Sequence, residues 1–431
     1  MKKRLFSIFM ISLLLITNLT VNTAFAQDKE MTSSALFNKC METGKNFVFD
    51  YYYAIDMKKD ININKYVKDT DLIQYLDLKH NIMKNRKVRS NCNVSNFSVD
   101  ASCYDYELSD NKVVITYNVR VKHQYTGCNE MSESGRRVKL GFENVNGLIC
   151  VTDYFEFTDF DKSVSLGQSK MNKTSRSISE NSTENSSYKL DFGKESIKLL
   201  KDTLAKENEF YDKLDSTAEL YKVREEAKIA GKSSVYASNS INLLSVSSTA
   251  RSNMVTYALA NCTKDSPSSG NSSYAPYYDF YNIAYDCTNF ASHCLLAGGA
   301  VENHNNWYYD SLSARSSSWS GVNQFYDFIV ANTGTGPKAE GKSLAYACPA
   351  QYVNWENGDF IQLQEAEYNY PGFGHTTMVT GSYPQNQYCT IPMVTSRTGD
   401  DWYTKNEILT VEYPIDDEIL AYRLIHITDL T

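Results

Sequence analysis

A run of small polar residues splits this chain. Between residues 169 and 187, Ser, Thr and Asn fill twelve of nineteen positions, and one Met and one Ile are the only large apolar residues. Such a stretch cannot bury enough apolar surface to offset the entropy of ordering it, so residues 161–190 read as a linker. The 431 residues therefore divide into an N-terminal unit and a larger C-terminal part. With 42% hydrophobic and 22% charged residues, each side can build a core. The net charge of −8 argues against nucleic acid as a partner and gives no electrostatic attraction to an anionic surface.

Residues 1–26 set the expected compartment. Lys2, Lys3 and Arg4 precede an apolar run from Phe6 to Leu19, and Ala24-Phe25-Ala26 fits a small-x-small cleavage site. This is the pattern of a signal peptide cut after Ala26, and it implies a secreted, extracellular protein. No later stretch approaches the roughly 18 apolar residues of a membrane span. All ten cysteines fall after the cut, as suits an exported chain with several disulfides. No CxxC or HExxH spacing appears, so neither a metal nor another cofactor is expected. If Cys287 stays a free thiol, at least one further cysteine is unpaired, and Cys294 is the candidate.

Residues 27–160 read as a small α+β accessory domain. Ser34 to Met57 carries apolar residues at helical spacing, and Asp71 to Met83 suits a second helix. From Lys112 the period becomes two, with Ile115, Tyr117, Val119 and Val121 on one face, and Leu148 to Phe157 gives another strand. Within residues 191–250, Glu195 to Ala230 forms one long amphipathic helix followed by a Ser- and Asn-rich connector. Its stripe suits packing on a neighbouring domain of the same chain better than a coiled-coil dimer; the oligomeric state is left open.

From residue 251 to 431 the chain turns aromatic and Gly-rich. Met254 to Cys262 reads as a helix and Val322 to Val330 as an amphipathic one. Strands are expected at Asp359–Gln364, Thr376–Gly381, Pro392–Ser396, Ile408–Tyr413 and Ile419–Ile427. Its centre is YNIAYDCTNFASHCLLAGG, residues Tyr281 to Gly299. Asp286 is a natural N-cap and Gly298-Gly299 a natural stop, which puts Cys287 at the first helical position. There the unpaired N–H groups and the dipole favour a thiolate, and a thiol normally near 8.5 can fall to roughly 3.5–7.5. A cysteine nucleophile needs a base and a group to orient it. Of six histidines, His375 in GFGHTTMVTG opens a strand after a Gly-rich turn and suits the base. The next strand, PMVTSRTGDD, offers Asp400 as the best-placed acid. The Cys287 backbone N–H can supply one oxyanion donor, with Asn282 or Tyr281 as the second. There is no G-x-S-x-G elbow, and no carboxylate pairing that suits glycoside chemistry.

These residues resemble a known family. The blocks YDFYNIAYDCTNFASHCLLAGGA, NNWYY, SSSWSGVNQFYDFI, WENGDFIQL and GHTTMVT are similar to the bacterial putative amidase domain family, grouped with papain-like cysteine amidases and peptidases and distantly akin to NlpC-type wall hydrolases. The resemblance implies a papain-like domain, with the helix-borne cysteine followed by an antiparallel sheet. It also implies Cys287 as nucleophile and His375 as base, with Asp286 and Asn289 as supporting neighbours. The family's last motif has a His-Thr-x-Asp run; here it is Arg397-Thr398-Gly399-Asp400, which keeps the Asp and loses the His. The expectation is an exported cysteine hydrolase of amide bonds, acting on peptides or peptidoglycan. The rival is a non-catalytic papain-like binding module.

Overall fold

The computed structural model describes residues 33–109, 112–157, 192–229, 246–263, 286–344, 355–365, 372–386, 389–399, 402–416 and 419–431. The signal segment, the linker's core, Tyr281, Asn282 and Asp400 lie outside these residues. Among the described residues no helix is long and apolar enough to cross a membrane.

The N-terminal unit follows its periodicities. Helix α1 (Ser33–Asp56) buries Cys40, Phe47, Val48, Tyr51 and Ile55, spaced to share one face. Helix α2 (Thr70–Arg89) starts at Asp69, whose carboxylate accepts from the backbone N–H groups of Asp71 and Leu72 at 3.0 and 2.8 Å. It runs a turn and a half past the expected end. Strands β1 (Val94–Ser109), β2 (Lys112–Tyr125), β3 (Ser132–Val145) and β4 (Leu148–Glu156) form an antiparallel meander. In β2 every second residue from Val113 to Tyr125 is buried, and the two helices cover the apolar face around Ile115, Tyr117 and Phe142.

Helix α3 (Lys194–Ile229) packs inside the chain. Arg86 of α2 forks onto Glu207, Arg89 reaches Asp212 and Asp215, and Tyr211 donates to the Thr410 carbonyl at 2.7 Å. Helix α4 (Ser248–Asn261) starts at Ser247, which caps Ala250. Then come α5 (Cys287–Ala297), the short hairpin β5 (Tyr309–Ser311) and β6 (Ala314–Arg315), α6 (Ser317–Ser320) and α7 (Val322–Ala331). Strands β7 (Lys338–Leu344), β8 (Phe360–Glu365), β9 (His375–Asn386), β10 (Cys389–Gly399) and β11 (Trp402–Ile408) precede helix α8 (Leu409–Glu412) and strand β12 (Ile419–Asp429).

The run Ile408–Tyr413, expected as a strand, is mostly the helical turn α8, and the strand lies just upstream. Tertiary bonds override its β-branched composition: Thr410 accepts from Tyr211, and Glu412 pairs with Arg136 at 2.9 Å. Among the described residues the expected disulfides are not seen: Cys40, Cys92, Cys103, Cys128, Cys150, Cys262, Cys287 and Cys294 are free thiols.

The strands form one ten-stranded antiparallel sheet in the order β1-β2-β3-β11-β10-β9-β8-β12-β7, with β4 also on β3. The N-terminal meander and the C-terminal strands meet where β3 pairs with β11, through Gly135↔Tyr403, Ser134↔Thr404 and Glu133↔Lys405. Buried charges fasten this seam. His123 of β2 lies 3.0 Å from Asp56 of α1 and 3.4 Å from Glu407 of β11. Lys87 pairs with Asp56 at 3.1 Å, and Tyr125 donates to Glu407 at 2.7 Å. Burial alone would hold the His123 imidazole neutral; the two carboxylates overcome it and push it up to about 9.

A folded-state value above the ordinary ~6.5 means that His123 contributes stability fully below that pH, and the contribution fades as pH rises through about 9. The denaturant midpoint of the protein is expected to fall across that window, by up to roughly 3 kcal/mol in unfolding free energy. His123→Gln should flatten the slope there. An unchanged slope in the variant would show that other groups set it.

Candidate active site

Helix α5 begins at Cys287 and ends as the sequence suggests: Gly298 N–H bonds the Cys294 carbonyl at 3.1 Å, and Gly299 takes φ +97°. Its start differs from expectation. Asp286 occupies the cap position, but its side chain makes no capping bond. It turns into the interior instead, where Oδ2 meets Arg397 Nε of β10 at 3.2 Å and Oδ1 accepts from Asn289 Nδ2 at 2.8 Å. Asn289 in turn accepts from Trp319 Nε1 at 2.6 Å. A guanidinium out of water attracts the carboxylate more strongly than the helix-start amides do.

Cys287 lies against strand β9. Its sulfur is 3.8 Å from the Thr288 hydroxyl, and the backbone N–H of Thr376 favours its thiolate form. Thr288 Oγ1 and Thr376 Oγ1 are 3.1 Å apart. Because Thr376 directly follows His375, the start of α5 and the start of β9 bring the two predicted residues to the same place. His375 is 8% exposed; its ring centre is 5.8 Å from that of Tyr413, and its buried Nε2 has no hydrogen-bond partner among the described residues.

Burial governs both groups. It pushes the Cys287 thiol up to about 11; bonds from Thr376 and Thr288 pull the other way, and the Glu365 and Asp286 carboxylates add to the rise. The same burial holds His375 down at about 4. The expected depression of the thiol is therefore reversed: the helix terminus offers only about half a unit charge, and loss of water outweighs it. The pair rests as neutral thiol and neutral imidazole.

A polar framework that sequence reasoning missed holds the histidine turn. Gln362 of β8 donates to Thr376 Oγ1 at 3.0 Å and to the Val322 carbonyl at 2.8 Å, and accepts from Arg423 Nε at 2.7 Å. Asn323 brackets the backbone of Phe373, accepting from its N–H at 3.2 Å and donating to its carbonyl at 3.1 Å. Arg423 sits over the rings of Tyr326 and Phe373 at 3.7 and 4.0 Å. The signal was Gln362 set among Phe360, Ile361 and Leu363 of an apolar strand, a polar residue that has to be hydrogen-bonded when buried.

Asn289 is placed as a support, its amide committed to Asp286 and Trp319. Asp400, Tyr281 and Asn282 lie outside the described residues. His293 is buried between Tyr257 and Trp319 and held down at about 3 by burial, with Arg397 adding to the effect. Among the described residues no group of three or more His, Cys, Asp or Glu is placed to hold a metal ion.

A cysteine at a helix start beside a strand-borne histidine is an arrangement suited to nucleophilic acyl transfer. Residues 248–417, less than half of the chain, match the family model described as Putative amidase domain. No curated protein and no solved structure matches the chain.

Trp319→Phe keeps most of the aromatic bulk and removes the 2.6 Å hydrogen bond from the indole to Asn289. Urea denaturation should show a loss of about 1–3 kcal/mol. An unchanged midpoint would mean that the Trp319–Asn289 bond contributes nothing net.

Proposed function

We propose that the C-terminal part is a papain-like cysteine hydrolase of amide bonds, with Cys287 as nucleophile and His375 as base. The observation that carries this reading is the meeting of the Cys287 helix start with the His375 strand start, where Thr288 Oγ1 and Thr376 Oγ1 are 3.1 Å apart, inside the region that matches an amidase domain. His375, neutral at rest, takes the thiol proton as sulfur attacks the substrate carbonyl. The tetrahedral intermediate collapses to a thioester as His375 returns that proton to the leaving amine. Water, activated by the same imidazole, then releases the acid and restores the thiol. The Cys287 backbone N–H is one oxyanion donor, with Tyr281 or Asn282 as the second and Asp400 as the group that orients His375. Residues 1–26 direct export, and the substrates are peptide or peptidoglycan amides, which a secreted enzyme would meet.

Incubating purified peptidoglycan and short peptides with the protein should release new amines, with turnover lost in Cys287→Ser and reduced at least a hundredfold in His375→Ala. Product formation by Cys287→Ser at the parent rate would sink the reading. Mass spectrometry of the exported protein should find its N-terminus at Gln27.

The pH profile follows from the resting pair. His375 must be unprotonated to act, so kcat/KM should rise with pH through about 4 and then stay level across neutrality. A rising limb near neutral pH would mean that a preformed thiolate–imidazolium pair is the active form.

The second reading, a non-catalytic binding module, is favoured by the protonated thiol and by Arg397 in place of the family's histidine. It predicts substrate retention without turnover in the parent protein.

A further inference from the structure

Arg397 is fully buried, as is the Asp286 that it pairs with. Besides the 3.2 Å bond to Asp286, its Nη1 reaches the carbonyls of Asn261 and Thr263 at the end of α4, at 3.4 and 3.2 Å. The Asp286 N–H points to the carbonyl of Thr398, the next residue on β10, at 3.4 Å. One side chain therefore ties β10, the end of α4 and the start of α5 together. Taking two charges out of water is expensive, and apolar residues of similar volume often hold a fold as well. Packing alone leaves this pair unexplained.

Its position gives the reason. Asp286 directly precedes Cys287, and among the described residues its carboxylate and that of Glu365 of β8 disfavour a thiolate there. His375 opens β9, the strand whose start meets this helix start, and is neutral at rest. A capping Asp286 would also place negative charge on the helix-start N–H groups, where the thiolate and the oxyanion both need donors. Arg397 draws that carboxylate away and balances it.

We propose that Arg397 is a positioning residue for Cys287: by holding Asp286 it neutralises the carboxylate beside the nucleophile and fixes the helix start that carries the sulfur. This rests on the hydrolase reading, which makes Cys287 the nucleophile. Arg397 touches no reacting atom and acts through Asp286.

The test titrates the Cys287 thiolate by its ultraviolet absorbance, each protein measured against its own Cys287→Ser counterpart. Asp286→Asn leaves Arg397 unbalanced and should move the midpoint down by about one pH unit or more, a tenfold gain in thiolate at a given pH below the midpoint. Arg397→Met should move it up, and the double variant should return it near the parent. Loosened packing would shift both single variants in one direction, so opposite signs are the signature. If Arg397→Met does not fold, Asp286→Asn still gives its sign, and Arg397→Lys, which keeps the charge, should stay near the parent midpoint. Single variants that shift the same way, or an Asp286→Asn midpoint left in place, would overturn the proposal. Turnover is assayed on the same proteins: an inactive parent defeats the hydrolase reading, whereas the midpoints judge Arg397 separately.

Discussion

Buried charge decides how this molecule is put together. Glu407 and Glu412 come from β11 and α8, whereas the cations that face them, His123 and Arg136, come from the meander near the N-terminus. Asp56, Lys87 and Glu156 extend the network, and all of these groups are largely out of water. An unpaired charge in such a place is costly by several kcal/mol, so Glu407 and Glu412 depend on His123 and Arg136 from the other half for their burial. Hydrogen bonding between β3 and β11 adds the directional part. The two stretches on either side of the polar linker thus complete one sheet.

The same competition between burial and charge shapes the site. A helix start and a strand start converge on Cys287 and His375, and both side chains are so well covered that each sits in its neutral form. Burial in the neutral form protects the Cys287 sulfur from casual oxidation, since the thiolate is the form that reacts. It also gives the surrounding polar framework a purpose: Thr288, Thr376 and Gln362 hold the two chain starts in register.

Much of this was legible in the sequence wherever a local rule decided the outcome. The period-two run from Lys112, the Gly298-Gly299 stop and the strand opened by His375 all have local causes, and the structure has each of them. Failures came where distant partners outvoted local chemistry. Asp286 looks like a cap until Arg397, over a hundred residues away, claims its carboxylate. Ile408–Tyr413 looks like a strand until Tyr211 and Arg136 bind its turn. The seam between β3 and β11 had no signature at all, because strand pairing across a long linker is set by which edges remain open after each part has folded.

That seam also defines what a fragment of the chain would be. The region matching an amidase domain ends at residue 417, before β12, the strand that lies between β8 and β7. It also begins long after β3, the strand that covers the outer side of β11. Cut at those limits, the fragment would present β11 as a bare edge with a row of unsatisfied backbone groups, a template on which copies can stack. In this chain the N-terminal meander acts as an intramolecular chaperone in permanent attendance, occupying the edge along which the C-terminal part would otherwise aggregate.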